Sequence, residues 1–299
     1  MSLLPARNIL DGTATPTTST IKTALGQLRD FLNEKLGNDG AISSVGFKNR
    51  LINAAGLINQ RGVSGTVTLA AGVYGHDRFK AGASGCTYTF ATSGNLTTFT
   101  ISAGSLVQVI EGLNLETGTY ILSWSGTAQG KSAGGAFSAS GVSASITGGT
   151  NTTIEFSTGS LAAPQVERGN TATGFDYRAY AVEEMLCQRY LPSYITSGGF
   201  FQIVPAPGRI LNSNTALFLF TYKVRARVPP TGLIATAVSN FFVSASTGGS
   251  SLTAMTHGTS GIDATTIQVT TSDATFTAGQ SAHLVSNPSQ YILFTGCEL

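Results

Sequence analysis

Of 299 residues, 71 are Ser or Thr and 36 are Gly, whereas only 32 are charged. The 17 basic and 15 acidic side chains leave a net charge of +2, which excludes the concentrated basic footprint of a nucleic-acid-binding protein. With 41% hydrophobic residues and no block of like charge, the chain is expected to fold, over a length that suits about two domains.

The chain opens with MSLLPARNILDG, in which no basic stretch precedes an apolar run, so no cleaved signal is expected. Nor does any run reach the roughly 18 apolar residues of a membrane span, and no membrane insertion is expected. The widely separated Cys86, Cys187 and Cys297 form neither a disulfide framework nor a metal-ligand pair. Reduced thiols and synthesis in the cytoplasm follow as expectations.

Pro16 and the hydroxyls of Thr17 to Ser19 predict a helix start. From there Ile21, Leu25, Leu28, Leu32 and Leu36 fall on one stripe of a helix over about 19–36, stopped by Gly37 and Asn38-Asp39-Gly40. Residues 1–47 thus read as an attachment segment. Its stripe either packs on its own domain or forms a seam between subunits.

Residues 48–178 read as a β domain. Short β-branched and aromatic runs at 66–70, 86–91, 97–102, 106–111, 119–125, 142–146 and 152–157 are separated by Gly, Asn and Ser clusters. That spacing predicts a jelly-roll β-sandwich rather than a βαβ fold. Residues 179–192 then predict a linking helix, with Val182, Met185, Leu186 and Tyr190 on one side and Pro192 ending it.

A C-terminal β-sandwich domain is expected over 193–299, the boundary falling at 192–200. In FTYKVRARV, Phe220, Tyr222, Val224, Ala226 and Val228 alternate with polar residues, which predicts one half-buried strand closed by Pro229-Pro230. Further strands are predicted near 233–238, 241–245, 265–270, 282–285 and 291–295. The fold class is therefore mainly β, with a short N-terminal helix, a jelly roll, a linking helix and a second β-sandwich.

Catalytic chemistry finds little support. His76, His257 and His283 lack metal-ligand spacing, and no nucleophile elbow, phosphate loop or dinucleotide fingerprint is present. Glu111 and Glu116 could meet across a turn. Beyond residue 184 the acids are Asp263, Asp273 and Glu298, too few for a depolymerase groove of several acids. No catalytic residue, metal site or cofactor is expected. Arg50, Arg61 and Arg78 read either as a ligand site or as loop and strand-end pairing. Trp124 reads as core or as a sugar-stacking platform. Tyr74 and His76, in the Gly-bounded GVYGHDRF, are expected to be exposed and are the candidate ligand-binding residues.

Three motifs bear a resemblance. NRLINAAGLINQRG at 49–62 with YGHDRF at 74–79, EGLNLETGTYILSWSGTAQG at 111–130, and QVERGNTATGFDYRAYAVEEMLCQRYL at 165–191 resemble tail-fibre proteins of tailed bacteriophages. Ala54, Phe79 and Gly174 depart from that family's usual Gly, Trp and Pro. The resemblance implies a virion structural protein made in the host cytoplasm, with a carbohydrate-binding-like jelly roll. It further implies a homotrimeric fibre or tip that recognises host-surface glycan. Residues 1–40 would hold the phage tail or baseplate, and Ile21, Leu25, Leu28 and Leu32 would form the subunit contact. The motifs themselves read as scaffold. Alternative readings are a polysaccharide-depolymerising tailspike and a purely structural baseplate or head decoration protein.

Overall fold

The computed structural model describes Thr23, Leu25, Gly26 and residues 47–299 apart from Phe200, Phe201 and Ala274. Of the expected N-terminal stripe, Ile21, Leu28, Leu32 and Leu36 lie outside the described residues. Leu25 is helical and 59% exposed.

The chain is mainly β, as its runs of Thr, Val, Ile and aromatic residues predict. The first unit comprises β1 (Val67–Leu69), β2 (Lys80–Ser93), β3 (Leu96–Ile110), β4 (Gly118–Ser125), β5 (Gly130–Ser132), β6 (Val142–Ile146), β7 (Thr152–Phe156) and β8 (Gly159–Arg168). Its sheet runs β1-β2-β3-β8-β4-β6, while β7 pairs with both β3 and β5. Trp124 on β4 meets Phe156 on β7 edge-on, ring centroids 5.4 Å apart, so the two halves of the sheet face each other across one core. This is the sandwich of the jelly-roll class. Trp124 belongs to that core: it is 7% exposed and its Nε1 donates to the Ala128 carbonyl at 2.8 Å.

The strands expected at 97–102 and 106–111 are a single strand, β3. Ser102 to Ser105 resemble a turn in sequence, but the backbone continues and changes partner. Residues 99–101 pair with β8, and 106–110 pair with β7. Gly104 allows this, with φ +68 and a backbone so close to β2 that a Cβ would lie 2.0 Å from the Gly85 carbonyl oxygen. Left-handed backbone against another backbone leaves room only for glycine. A Gly104→Ala substitution should therefore cost on the order of 4 kcal/mol or more, read as a collapse of the urea midpoint or of soluble yield.

The linking helix α1 (Tyr180–Gln188) forms where expected. The second unit follows immediately, with β9 (Ser193–Ile195), β10 (Gln202–Asn212), β11 (Thr215–Thr221), β12 (Gly232–Ala235), β13 (Phe241–Ala245), β14 (Gly248–Ser260), β15 (Ala264–Thr271), β16 (Ser281–Ser286) and β17 (Tyr291–Thr295). Six of these close into a barrel ordered β10-β11-β15-β14-β13-β16, and β12-β17-β9 form a separate three-stranded sheet. Val204, Phe218, Val243, Ile267, Val269 and Leu284 fill the barrel. Tyr194, Ile292 and Phe294 from the small sheet join the same core.

Several elements differ from expectation. The strand read through FTYKVRARV ends at Thr221, because its partner β15 begins at Ala264 and offers nothing further to pair with. Tyr222 and Ala226 stay buried, their amides donating instead to the Asp263 and Ile262 carbonyls at the tip of the β14–β15 hairpin. Strands β10 and β14 were not signalled. In β10 a register shift lies between Val204 and Pro207, a place where Pro205 and Pro207 need donate no ladder hydrogen bond. In β14 Gly, Ser and Thr replace the usual bulky alternation.

Candidate functional site

The densest polar cluster joins the two β units, and it is built from the motif residues. Gln60 follows a loop pinned by Asn53, whose side chain accepts from the Ile58 amide and donates to the Ile58 and Asp77 carbonyls. The Gln60 amide N–H donates to Asp77 Oδ2 at 2.6 Å, and its side-chain nitrogen donates to Asp77 Oδ1 at 2.5 Å. The Gln60 side-chain oxygen Oε1 accepts from Gln188 Nε2 at 2.7 Å and from the Ser193 hydroxyl. Gln188 ends α1 and Ser193 starts β9. One glutamine therefore ties the jelly roll, the helix and the second unit together.

Beside this lattice, Arg78 is buried with its guanidinium 3.6 Å from the centre of the Tyr190 ring, and it donates to the Val109 carbonyl at 2.5 Å. The Tyr190 hydroxyl donates to Glu111 Oε2 at 2.7 Å, and Arg189 pairs with the same carboxylate at 3.2 Å. Ile52, Ile58, Cys187 and Tyr190 supply a small apolar core between the units, with Leu186 and Leu299 packed on it. Arg61 pairs with Glu298, while Tyr74 and Lys80 donate to the Leu299 carbonyl. The last residues of the second unit thereby lie on the first.

Burial sets the electrostatics. Asp77 is pushed above the ordinary carboxylate value by desolvation, which the Gln60 hydrogen bonds only partly oppose. Glu298 and Glu183 are raised for the same reason, against the pull of Arg61 and Arg178 respectively. Glu111 behaves oppositely. Burial acts to raise it, but hydrogen bonds from Tyr190 and Arg189 outweigh burial and hold it low. The thiols of Cys86 and Cys297 rise to about 11 through burial, and burial also raises Cys187 well above the ordinary thiol value, so none is a thiolate near neutral pH.

The two candidate ligand residues take different places. Tyr74 is half-buried beside Arg61 and Lys80, whose cations lie 5.3 and 5.7 Å from its ring centre. His76 is not exposed: it is 1% accessible and sits among Tyr88, Phe90 and Phe99. A turn closed by the Phe79 amide on the His76 carbonyl turns the imidazole into the aromatic core and Asp77 into the polar lattice. No strand is involved. Desolvation lowers His76 to about 4, so it is neutral at pH 7. His283 is exposed on β16.

Of the arginines that suggested a ligand site, Arg50 keeps a buried Nε with no hydrogen-bond partner. Arg61 and Arg78 have the partners above, which lie far away in sequence rather than beside them. Glu116 bonds Arg168 at 2.7 Å, whereas Glu111 is held by Arg189 and Tyr190. Among the described residues no group of His, Cys, Asp and Glu could hold a metal ion, and no helix is long and apolar enough to cross a membrane. The motif side chains are scaffold. Asn49 bonds the Leu51 and Val166 amides and the Pro164 carbonyl, and Arg178 bridges Glu183 to the Leu51 carbonyl.

Of the junction residues, Gln60, Asp77 and Gln188 lie within the resembling motifs, and Ser193 lies just past the last of them; nothing in the sequence showed that they meet. The outer wall of the second unit is different in kind. Thr253, Thr256, Thr259, Gln268 and Ser281 are exposed on β14, β15 and β16, and from Val228 to Leu299 there is no Lys or Arg. No family model matches the chain, and no curated protein or solved structure matches it.

Proposed function

We propose that this chain is a virion structural protein, a trimeric tail fibre or tip whose C-terminal barrel meets host-surface glycan. The observation that carries this reading is the hydroxyl-rich outer face of β14 and β15, strands that hold no Lys or Arg, the one Lys or Arg on the barrel strands being Arg209 on β10. Such a surface makes many weak, neutral hydrogen bonds to sugar hydroxyls and does not select partners by charge. Three copies presented together would raise the effective concentration and turn weak contacts into durable binding. The resemblance at 165–191 supports the assignment, since its residues hold the barrel against the jelly roll. The exposure of Leu25 supports the stripe as a subunit contact rather than an internal one.

In this reading residues 1–40 attach to the phage tail or baseplate, the jelly roll is a stem and the barrel is the distal end. Binding of the full chain to host cells or to purified lipopolysaccharide tests it. A Thr253→Lys/Thr256→Lys variant should bind at least about tenfold more weakly, a loss of about 1.4 kcal/mol. Absence of binding by the native chain, or release of reducing sugar from the polysaccharide, would overturn it. The second result would favour the depolymerase.

A further inference from the structure

We propose that the junction between the two β units binds one small monovalent anion, chloride, against the buried guanidinium of Arg78, and that this ion helps to hold the units together. The inference is independent of the fibre reading, since it needs neither glycan nor assembly.

Arg78 combines two unfavourable features. The residue is 2% exposed, so its cation is enclosed. Its backbone is left-handed at φ +71, a conformation uncommon outside glycine. Buried charges are tolerated where they are paired. The other enclosed arginines obey this: Arg61 pairs with Glu298, and Arg178 with Glu183. Among the described residues Arg78 is in no ion pair, and its acceptor is the Val109 carbonyl, bonded to Nη2. The Tyr190 ring, 3.6 Å from the guanidinium carbon, offsets part of the charge through its π-face. Contact through that face leaves the N–H groups in the guanidinium plane without an acceptor.

Unpartnered polar atoms are concentrated at this place. Among the described residues six buried side-chain nitrogen or oxygen atoms lack a hydrogen-bond partner, and four of them are Arg78 Nε, Arg78 Nη1, Arg61 Nη1 and Glu298 Oε1. Their residues share one neighbourhood. Arg61 pairs with Glu298 and lies 5.3 Å from the centre of the Tyr74 ring, and the charges of Arg61 and Arg78 both act on Tyr74 and on Glu298. Three of the four atoms are donors on cations.

The surrounding groups leave an excess of positive charge. Arg61, Arg78 and Lys80 stand against Glu298 and Asp77, and burial raises both carboxyls towards their neutral forms. Both Asp77 oxygens are already bonded by Gln60. A water molecule would accept the free N–H groups but leave the charge uncompensated. A small anion does both. Enclosure beside Tyr190 and the fully buried Cys187 favours a monovalent halide over a phosphate, whose higher charge is harder to strip of water.

Two measurements on the full chain test this. Denaturant midpoints are compared in sodium chloride and in sodium gluconate at equal ionic strength, for the native chain and for Arg78→Met. At chloride about ten times its dissociation constant, the native folding equilibrium constant should be about tenfold higher than in gluconate. Arg78→Met should lose that difference. A native chain equally stable in the two salts overturns the proposal, as does an Arg78→Met variant that keeps the difference. If Arg78→Met fails to fold, native crystals soaked in sodium bromide decide the matter. An anomalous peak within hydrogen-bond distance of Arg78 Nε or Nη1 is expected, and no peak there overturns the site. A bromide peak with equal stability in the two salts means an adventitious ion only, and overturns the proposal as well.

Discussion

A Tyr190→Ala variant should unfold in two steps where the native chain unfolds in one. Tyr190 is 1% exposed, stacks on Arg78 and donates its hydroxyl to Glu111. Removing the ring forfeits its burial, about 3–5 kcal/mol for a large aromatic in a close-packed site. The buried Arg78 cation then loses its stacking partner and keeps only the Val109 carbonyl among its hydrogen-bond acceptors. Both losses fall on the surface between the β units, while their separate cores are untouched. Scanning calorimetry should therefore show one endotherm splitting into two, the sandwich and the barrel melting independently. Tyr190→Phe should cost only about 1–2 kcal/mol, because it keeps the ring and removes one hydrogen bond to a carboxylate that Arg189 still holds. A single transition in the alanine variant would mean that the Gln60–Gln188–Ser193 lattice suffices to couple the units.

The second large effect is a loss of stability in acid that runs through one imidazole. His76 has a folded-state value of about 4 against an ordinary 6.5, lowered by burial among aromatic rings. The folded state therefore holds the neutral ring, and the unfolded chain takes up the proton first. Its contribution is present above the unfolded value and is lost as pH falls from about 6.5 towards 4. That difference corresponds to about 3 kcal/mol. The raised carboxyls of Asp77, Glu183 and Glu298 act in the opposite sense, binding protons more tightly when folded, so their stabilisation is lost as pH rises. Comparing native protein with His76→Phe separates the two, because the carboxyls are common to both. Denaturant midpoints at pH 7, 5.5 and 4.5 should show the native chain losing most of that 3 kcal/mol relative to the variant. Parallel pH profiles would place His76 outside the titration.

How much of this was legible depended on the range of the interactions. Strands β6, β13 and β17 were readable because β-branched and aromatic residues alternate between Gly, Asn and Ser boundaries, a property of five consecutive residues. Helix α1 was readable from the helical spacing of Val182, Leu186 and Tyr190 with Pro192 as its stop, although Met185 of that stripe is exposed and Glu183 is buried. Trp124, open between core and sugar platform in the sequence, is buried on the strand face it shares with Tyr120 and Leu122. Strand β3 was misread as two, since a change of partner at Gly104 depends on β7 and β8, some fifty residues on. The end of β11 depended likewise on where β15 begins.

The candidate ligand residues show the same limit. GVYGHDRF is rich in Gly and polar groups and reads locally as exposed, yet His76 closes an aromatic cluster drawn from β2 and β3. The motif residues announced scaffold, but not what they hold. Gln60 and Gln188 are 128 residues apart, and nothing near either one in sequence says that their amides meet.

The sequence by itself determined the mainly-β class, the helix between two β units and the hydroxyl-rich, charge-poor composition. Each depends on composition or on short periodicity, and local backbone preference and side-chain alternation suffice for them. The closing of the second unit into a barrel, the buried amide lattice at the junction and the burial of Arg78 against Tyr190 were decided only by the tertiary structure. Those features arise when distant segments compete for the same buried space, and the winner is set by packing and by satisfying every buried polar group.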